Sequence, residues 1–138
     1  MAVIKEIIRG EQDGSISFGN YEIAEKAKVY GFEEGGSRYD IKTHSEVTKL
    51  VKNDGFAYES VPGTSVFGFS SDEKAKSFKV EGFKDSQITV DGEPGVNYSI
   101  YIDGQLADEE TASLGGKISF SVDLEADKAV EVRIVRQA

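Results

Sequence analysis

Residues 96–135 alternate apolar and polar side chains with a period of two. Val96, Tyr98, Ile100 and Ile102 fall on one side of a strand, with Asn97, Ser99, Tyr101 and Asp103 on the other. Ile118, Phe120, Val122 and Leu124 repeat the pattern, and Val130, Val132 and Ile134 close it. Successive side chains of a strand point to opposite faces, so each run predicts a strand packed on one side and wet on the other. Further strands are expected at 77–81 and 87–90. The turns Asp91-Gly92, Glu93-Pro94-Gly95 and Asp103-Gly104 separate these segments, while Asp108-Glu109-Glu110 reads as loop. Regular short strands with turn signals between them point to a sandwich or barrel.

The first half is less regular. Residues 4–9 predict a strand, Asp13-Gly14 a hairpin turn, and Ile16 and Phe18 one face of the next strand. Segment 21–30 reads as helix by propensity or as strand by the alternation of Tyr21, Ile23 and Val29. Gly35-Gly36 separates 30–33 from 38–42, a second hairpin. In 47–61 the residues Val47, Leu50 and Val51 fit a helical stripe, and Thr43-His44-Ser45-Glu46 resembles a capping box. The turn Asn53-Asp54-Gly55 and the strand-like run after it favour a hairpin, which Pro62-Gly63 ends. The apolar stretch 66–69 precedes a polar connection at 70–74. The expected fold is therefore all-β: an N-terminal β meander in residues 1–72, then an immunoglobulin-like antiparallel β-sandwich in 76–138.

Composition narrows the class. A chain of 138 residues fits one domain or two small β modules and can bury a core without staples. It has no cysteine, which excludes disulfides, thiolate metal sites and a cysteine nucleophile, and suits a reducing compartment. Charged Lys5 and Glu6 interrupt the opening apolar residues, so no secretory h-region forms. With Met1 as the native start, the expected location is the cytoplasm. Sixteen basic residues against 25 acidic ones give a net charge of −9, with 11 acids in residues 1–70 and 14 in 71–138. Such a surface repels phosphate backbones, and the sequence displays no basic stripe; Lys74, Lys76 and Lys79 lie among Asp72, Glu73 and Glu81. Neither nucleic acid nor a membrane is expected as a partner.

The candidate chemistry is thin. His44 is the only histidine and hence the sole candidate for base-assisted catalysis near neutrality, but no G-x-S-x-G elbow accompanies it. The carboxylates Asp123, Glu125 and Asp127 and the cluster 108–110 read as solvated, without the burial that raises an acid's pKa. They show no EF-hand spacing for calcium. The glycine pairs at 35–36 and 115–116 lack Walker spacing and read as turns. No catalytic residue, metal or cofactor is expected. Exposed aromatics are the remaining route to a ligand, and Tyr39, Tyr58 and Tyr101 are the candidate ligand-binding residues, although most aromatic rings in such a module belong to a core.

Residues 1–9 (MAVIKEIIR), 58–64 (YESVPGT) and 114–117 (LGGK) together resemble a small family of uncharacterised bacterial all-β proteins, some of which carry an endosialidase label. That label implies sialic-acid chemistry, but the Asp-box tryptophan is missing here, and Arg9, Arg38, Arg133 and Arg136 are scattered. Residues 87–136 are similar to bacterial immunoglobulin-like modules, through 98–104, 116–124 and 130–134. The resemblance implies a fold and no active site. The expected function is a non-enzymatic binding or assembly module with a protein partner or a second copy of itself. The alternatives are a glycan-binding or glycan-processing accessory protein, and a hydrolase using His44.

Overall fold

A computed structural model describes residues 4–137. Thirteen strands make up the fold, and no helix occurs among the described residues. In chain order they are β1 (Ile8–Gly10), β2 (Ile16–Phe18), β3 (Ala27–Glu34), β4 (Ser37–Thr43), β5 (Thr48–Lys52), β6 (Gly55–Val61) and β7 (Ser65–Ser71). They continue with β8 (Ala75–Glu81), β9 (Ser86–Asp91), β10 (Asn97–Ile102), β11 (Gln105–Thr111), β12 (Lys117–Val122) and β13 (Val130–Arg136). Every pairing is antiparallel. A seven-stranded sheet runs β1-β2-β7-β8-β13-β10-β11, and a six-stranded sheet runs β12-β9-β6-β5-β4-β3. The protein is all-β, as the alternation predicts.

The meander of the first half survives as β3-β4-β5-β6, four sequential neighbours in the six-stranded sheet. Both sheets also take strands from either side of residues 72–76. Residues 72–74 form the turn joining β7 to β8, which are hydrogen-bonded neighbours. One hydrophobic cluster lies between the sheets, with Phe18, Val66, Phe78, Val132 and Ile134 from one and Ile41, Leu50, Tyr58, Ile88 and Phe120 from the other. Its aromatic centre is Tyr58 with Phe18, Phe69 and Phe78, set edge to face at 5.3 to 6.2 Å between centroids. Such pairs add to the area term and fix relative orientation.

Local chemistry explains the departures from expectation. The strand expected at 4–9 starts only at Ile8, because residues 5–7 turn and Ile7 has φ 73°. Segment 47–61 is the expected hairpin, with Asn53 and Asp54 both in the left-handed region that a tight hairpin turn demands. Segment 21–26 is turn, and strand begins at Ala27. The acidic stretch read as loop is strand β11. It pairs only with β10, nearly all its side chains face solvent, and it therefore shows no apolar alternation.

Candidate functional site

The three aromatic candidates sit in different surroundings. Tyr58 is 0 % exposed and is the hub of the core. Its hydroxyl is 2.8 Å from Thr64 Oγ1, and burial drives its pKa far above the ordinary phenol value. Tyr39 is 8 % exposed, with Lys52 Nζ 5.9 Å from its ring centroid, and burial raises its pKa as well. Neither ring offers a face to a ligand. Tyr101 of β10 is half-buried, flanked in register by Leu106 and Arg133 on the solvent side of its sheet.

Two other aromatics reach the surface. Tyr30 is 70 % exposed, at the bulge that interrupts the β3–β4 ladder between Val29 and Phe32. Gly31 follows it at φ 73°, and the Gly31 N–H donates to Asp40 Oδ1 at 2.8 Å. Phe83 is 55 % exposed and lies edge-on to buried Tyr21 at 4.8 Å. With Val61 and Pro62 it forms an apolar groove of about 590 Å³ bordered by Ser45, Glu46 and Lys84.

His44 lies beside that groove, in the turn between β4 and β5, and is buried. Its backbone N–H donates to Val47 O at 2.9 Å. Among the described residues no hydroxyl or carboxylate hydrogen-bonds its imidazole, so no nucleophile–base pair is assembled there. Asp123, Glu125 and Asp127 are exposed, as is the 108–109 part of the acidic strand. No group of three or more potential metal ligands occurs among the described residues.

The six-stranded sheet supplies the organised surface. Its inner face carries Ile41, Leu50, Tyr58, Ile88, Val90, Ile118 and Phe120. One cross-strand row on its outer face is Lys28, Lys42, Lys49, Glu59, Thr89 and Ser119, each directly opposite the next. Three of these are lysines on neighbouring strands. The basic stripe absent from the linear sequence is thus assembled by strand register.

The four sheet edges differ sharply. β1 has three residues. β3 carries its bulge, and the β10–β11 ladder shifts register between Ile100 and Tyr101 while β11 adds Asp108, Glu109 and Glu110. Short length, bulges and charge all discourage further pairing. β12 pairs with β9 over its whole length with no register shift, and its only charge is Lys117 at its first position. The Lys117 N–H donates to Ser113 Oγ at 3.2 Å, and its carbonyl accepts from the Ser113 N–H at 2.9 Å. Both groups therefore point away from β9. Antiparallel ladders alternate, so the backbone groups of Ser119 and Ser121 also point outward. No hydrogen bond closes that edge at Ser119 or Ser121 among the described residues. Their side chains hold β12 to β9 instead, Ser119 Oγ with Thr89 Oγ1 at 2.9 Å and Ser121 Oγ donating to Gln87 Oε1 at 2.8 Å.

No helix among the described residues is long and apolar enough to cross a membrane. Comparison with protein-family models, with curated proteins and with solved structures finds no match to this chain.

Proposed function

We propose that the protein is a non-enzymatic assembly module whose β12 edge pairs with β12 of a second copy, joining two six-stranded sheets. The observation that carries this reading is the contrast between β12 and the other three edges: it alone is long, regular and nearly uncharged. Open N–H and C=O groups at Ser119 and Ser121 supply the main-chain hydrogen bonds that strand addition uses. An antiparallel match about Ser121 is symmetric, as a two-fold dimer requires. The reading places this module in the cytoplasm, a compartment that a chain without cysteine suits.

Light scattering tests it. Wild type is expected to show a concentration-dependent dimer, and Ser121→Pro a monomer with an unchanged fold. Proline at that position removes a donor that faces away from β9, so the native backbone ladder keeps its bonds and only the exposed Ser121 Oγ–Gln87 bond is lost with it. A wild-type protein that stays monomeric up to about 1 mM, an affinity weaker than about −4 kcal/mol, would sink the proposal.

Carbohydrate binding keeps one foothold, the half-exposed ring of Tyr101 beside Arg133. A glycan array in which wild-type binding is lost in Tyr101→Ala would promote that reading over assembly.

A further inference from the structure

Lys28 of β3 stands directly opposite Lys42 of β4, and Lys42 directly opposite Lys49 of β5. Neighbouring strands lie about 4.8 Å apart, so the three side chains rise from a span of about 10 Å. Like charges facing each other across an antiparallel pair are destabilising by a few tenths to about 1 kcal/mol. A chain with 25 acidic residues has carboxylates to neutralise them. Yet none of the three lysines forms an ion pair among the described residues. Glu59 faces Lys49 in register without closing on it. Asp40, the same-face neighbour of Lys42 on β4, has its Oδ1 engaged by the Gly31 N–H at 2.8 Å. Two consecutive like-charge pairs thus stand without an ion-pair partner among the described residues, at the β3 side of the sheet.

We propose that this row is a binding site for a phosphate-type oxyanion carried on a small ring-bearing molecule. The oxyanion lies over Lys42, between Lys28 and Lys49, where one dianionic group meets all three ammonium groups. The ring lies against Tyr30, which the bulge of β3 leaves 70 % exposed beside Lys28. A net charge of −9 selects for compactness, because an extended polyanion would run beyond the row into the repulsive field of the rest of the surface. This site lies on the face of β3–β5, while the assembly edge is β12 at the far side of the sheet. Each stands or falls without the other.

The test is a ¹⁵N chemical-shift titration of the full chain at constant ionic strength, with inorganic phosphate, glucose 6-phosphate and glucose as probes. Saturable shifts are expected around residues 28, 42 and 49 with both phosphates. The ester also shifts Tyr30, and glucose alone shifts nothing. Lys42→Gln should weaken phosphate binding about tenfold or more. Its thermal midpoint should match or exceed that of wild type, since the substitution relieves two repulsive pairs, so the loss cannot be assigned to unfolding. Absence of saturable shifts, shifts centred elsewhere, or a Lys42→Gln protein that titrates like wild type would each overturn the site. Equal affinity for inorganic phosphate and the ester, with Tyr30 unmoved, would overturn the ring subsite.

Discussion

The Tyr58 hydroxyl and Thr64 Oγ1 lie 2.8 Å apart, with both side chains wholly buried. Thr64, in the connection between β6 and β7, is the node of a buried hydroxyl network that reaches β4, β5 and β6. Its Oγ1 also meets Ser60 Oγ at 2.8 Å, its carbonyl accepts from Thr48 Oγ1 at 2.7 Å, and its N–H donates to the same oxygen at 3.1 Å. Thr48 Oγ1 in turn lies 2.8 Å from Thr43 Oγ1, which accepts from the Asn20 N–H. Residues 58–64 are thus tied to one another and to Thr48. Their chemistry is structural, since a satisfied buried network fixes one arrangement of its strands.

Tyr58→Phe should therefore destabilise the protein by about 1–3 kcal/mol, the cost of leaving Thr64 Oγ1 short of a partner in a buried site. Thr64→Val should cost a similar amount, and the double variant less than the two added together, because the singles strand each other's partner. Urea unfolding measures all three. Strict additivity would mean that the two hydroxyls do not act as a pair.

The fold was legible wherever one face of a strand is buried. Ile118, Phe120 and Val122 alternate with Lys117, Ser119 and Ser121 both in the sequence and in exposure, and β10 and β13 read equally well. β11 was illegible because an outermost strand with a solvated surface on both sides leaves no apolar period. The site was less visible for a different reason. Lys28, Lys42 and Lys49 are far apart in sequence and become neighbours only through the registers of two hairpins, one of them bulged. Tyr58 and Tyr30 are chemically the same side chain; only the bulge and the position of each strand decide which is core and which is surface.

Gly63 packs so closely on the turn at His44 that an added methyl would overlap the His44 carbonyl oxygen. Its N–H donates to Ser45 O at 3.0 Å, tying the end of β6 to the β4–β5 turn. Gly63→Ala must push these backbones apart and should cost about 2 kcal/mol or more. Gly14→Ala is the contrast, because nothing surrounds that position and only its φ of 89° opposes a side chain. Its cost should be about 1 kcal/mol. Thermal unfolding of the two variants orders them, and a Gly63→Ala loss no larger than that of Gly14→Ala would refute the close-contact account.

Glu81 is 1 % exposed, and its Oε2 has no hydrogen-bond partner among the described residues. Burial, then the charges of Asp127 and Glu22, push its pKa above the ordinary value of 4.5, against the pull of the Tyr21 hydroxyl 3.5 Å from Oε1. A carboxyl whose folded pKa is raised costs stability once it must ionise. The penalty is absent well below pH 4.5, grows as pH rises from there through the raised value, and is complete above it. Glu81→Gln should therefore unfold at a higher temperature than wild type at neutrality, with the gap closing on acidification. A gap that widens as the pH falls would show that the folded protein holds Glu81 as a favoured anion.

Lys76 of β8 is buried, with its Nζ 3.1 Å from Asp91 Oδ1 on β9 and 2.7 Å from Ser71 Oγ, so one ion pair links the two sheets. The two partners are unequal, for the lysine side chain is 10 % exposed and the aspartate 50 %. Removing the charge of the carboxylate leaves a buried ammonium with neutral acceptors only, whereas removing the ammonium frees a carboxylate that water already reaches. Asp91→Asn should thus cost about 1–2 kcal/mol, discounted from the fully buried case because solvent screens the aspartate. Lys76→Met fills the same space without a charge to desolvate and should be nearly neutral. Denaturant unfolding of both variants at low and high salt distinguishes the terms: salt should reduce the Asp91→Asn loss and leave Lys76→Met unchanged relative to its own baseline. If Lys76→Met proved the costlier of the two, the pair would be contributing net attraction greater than the desolvation of its lysine, and the linkage between the sheets would be electrostatic before it is hydrophobic.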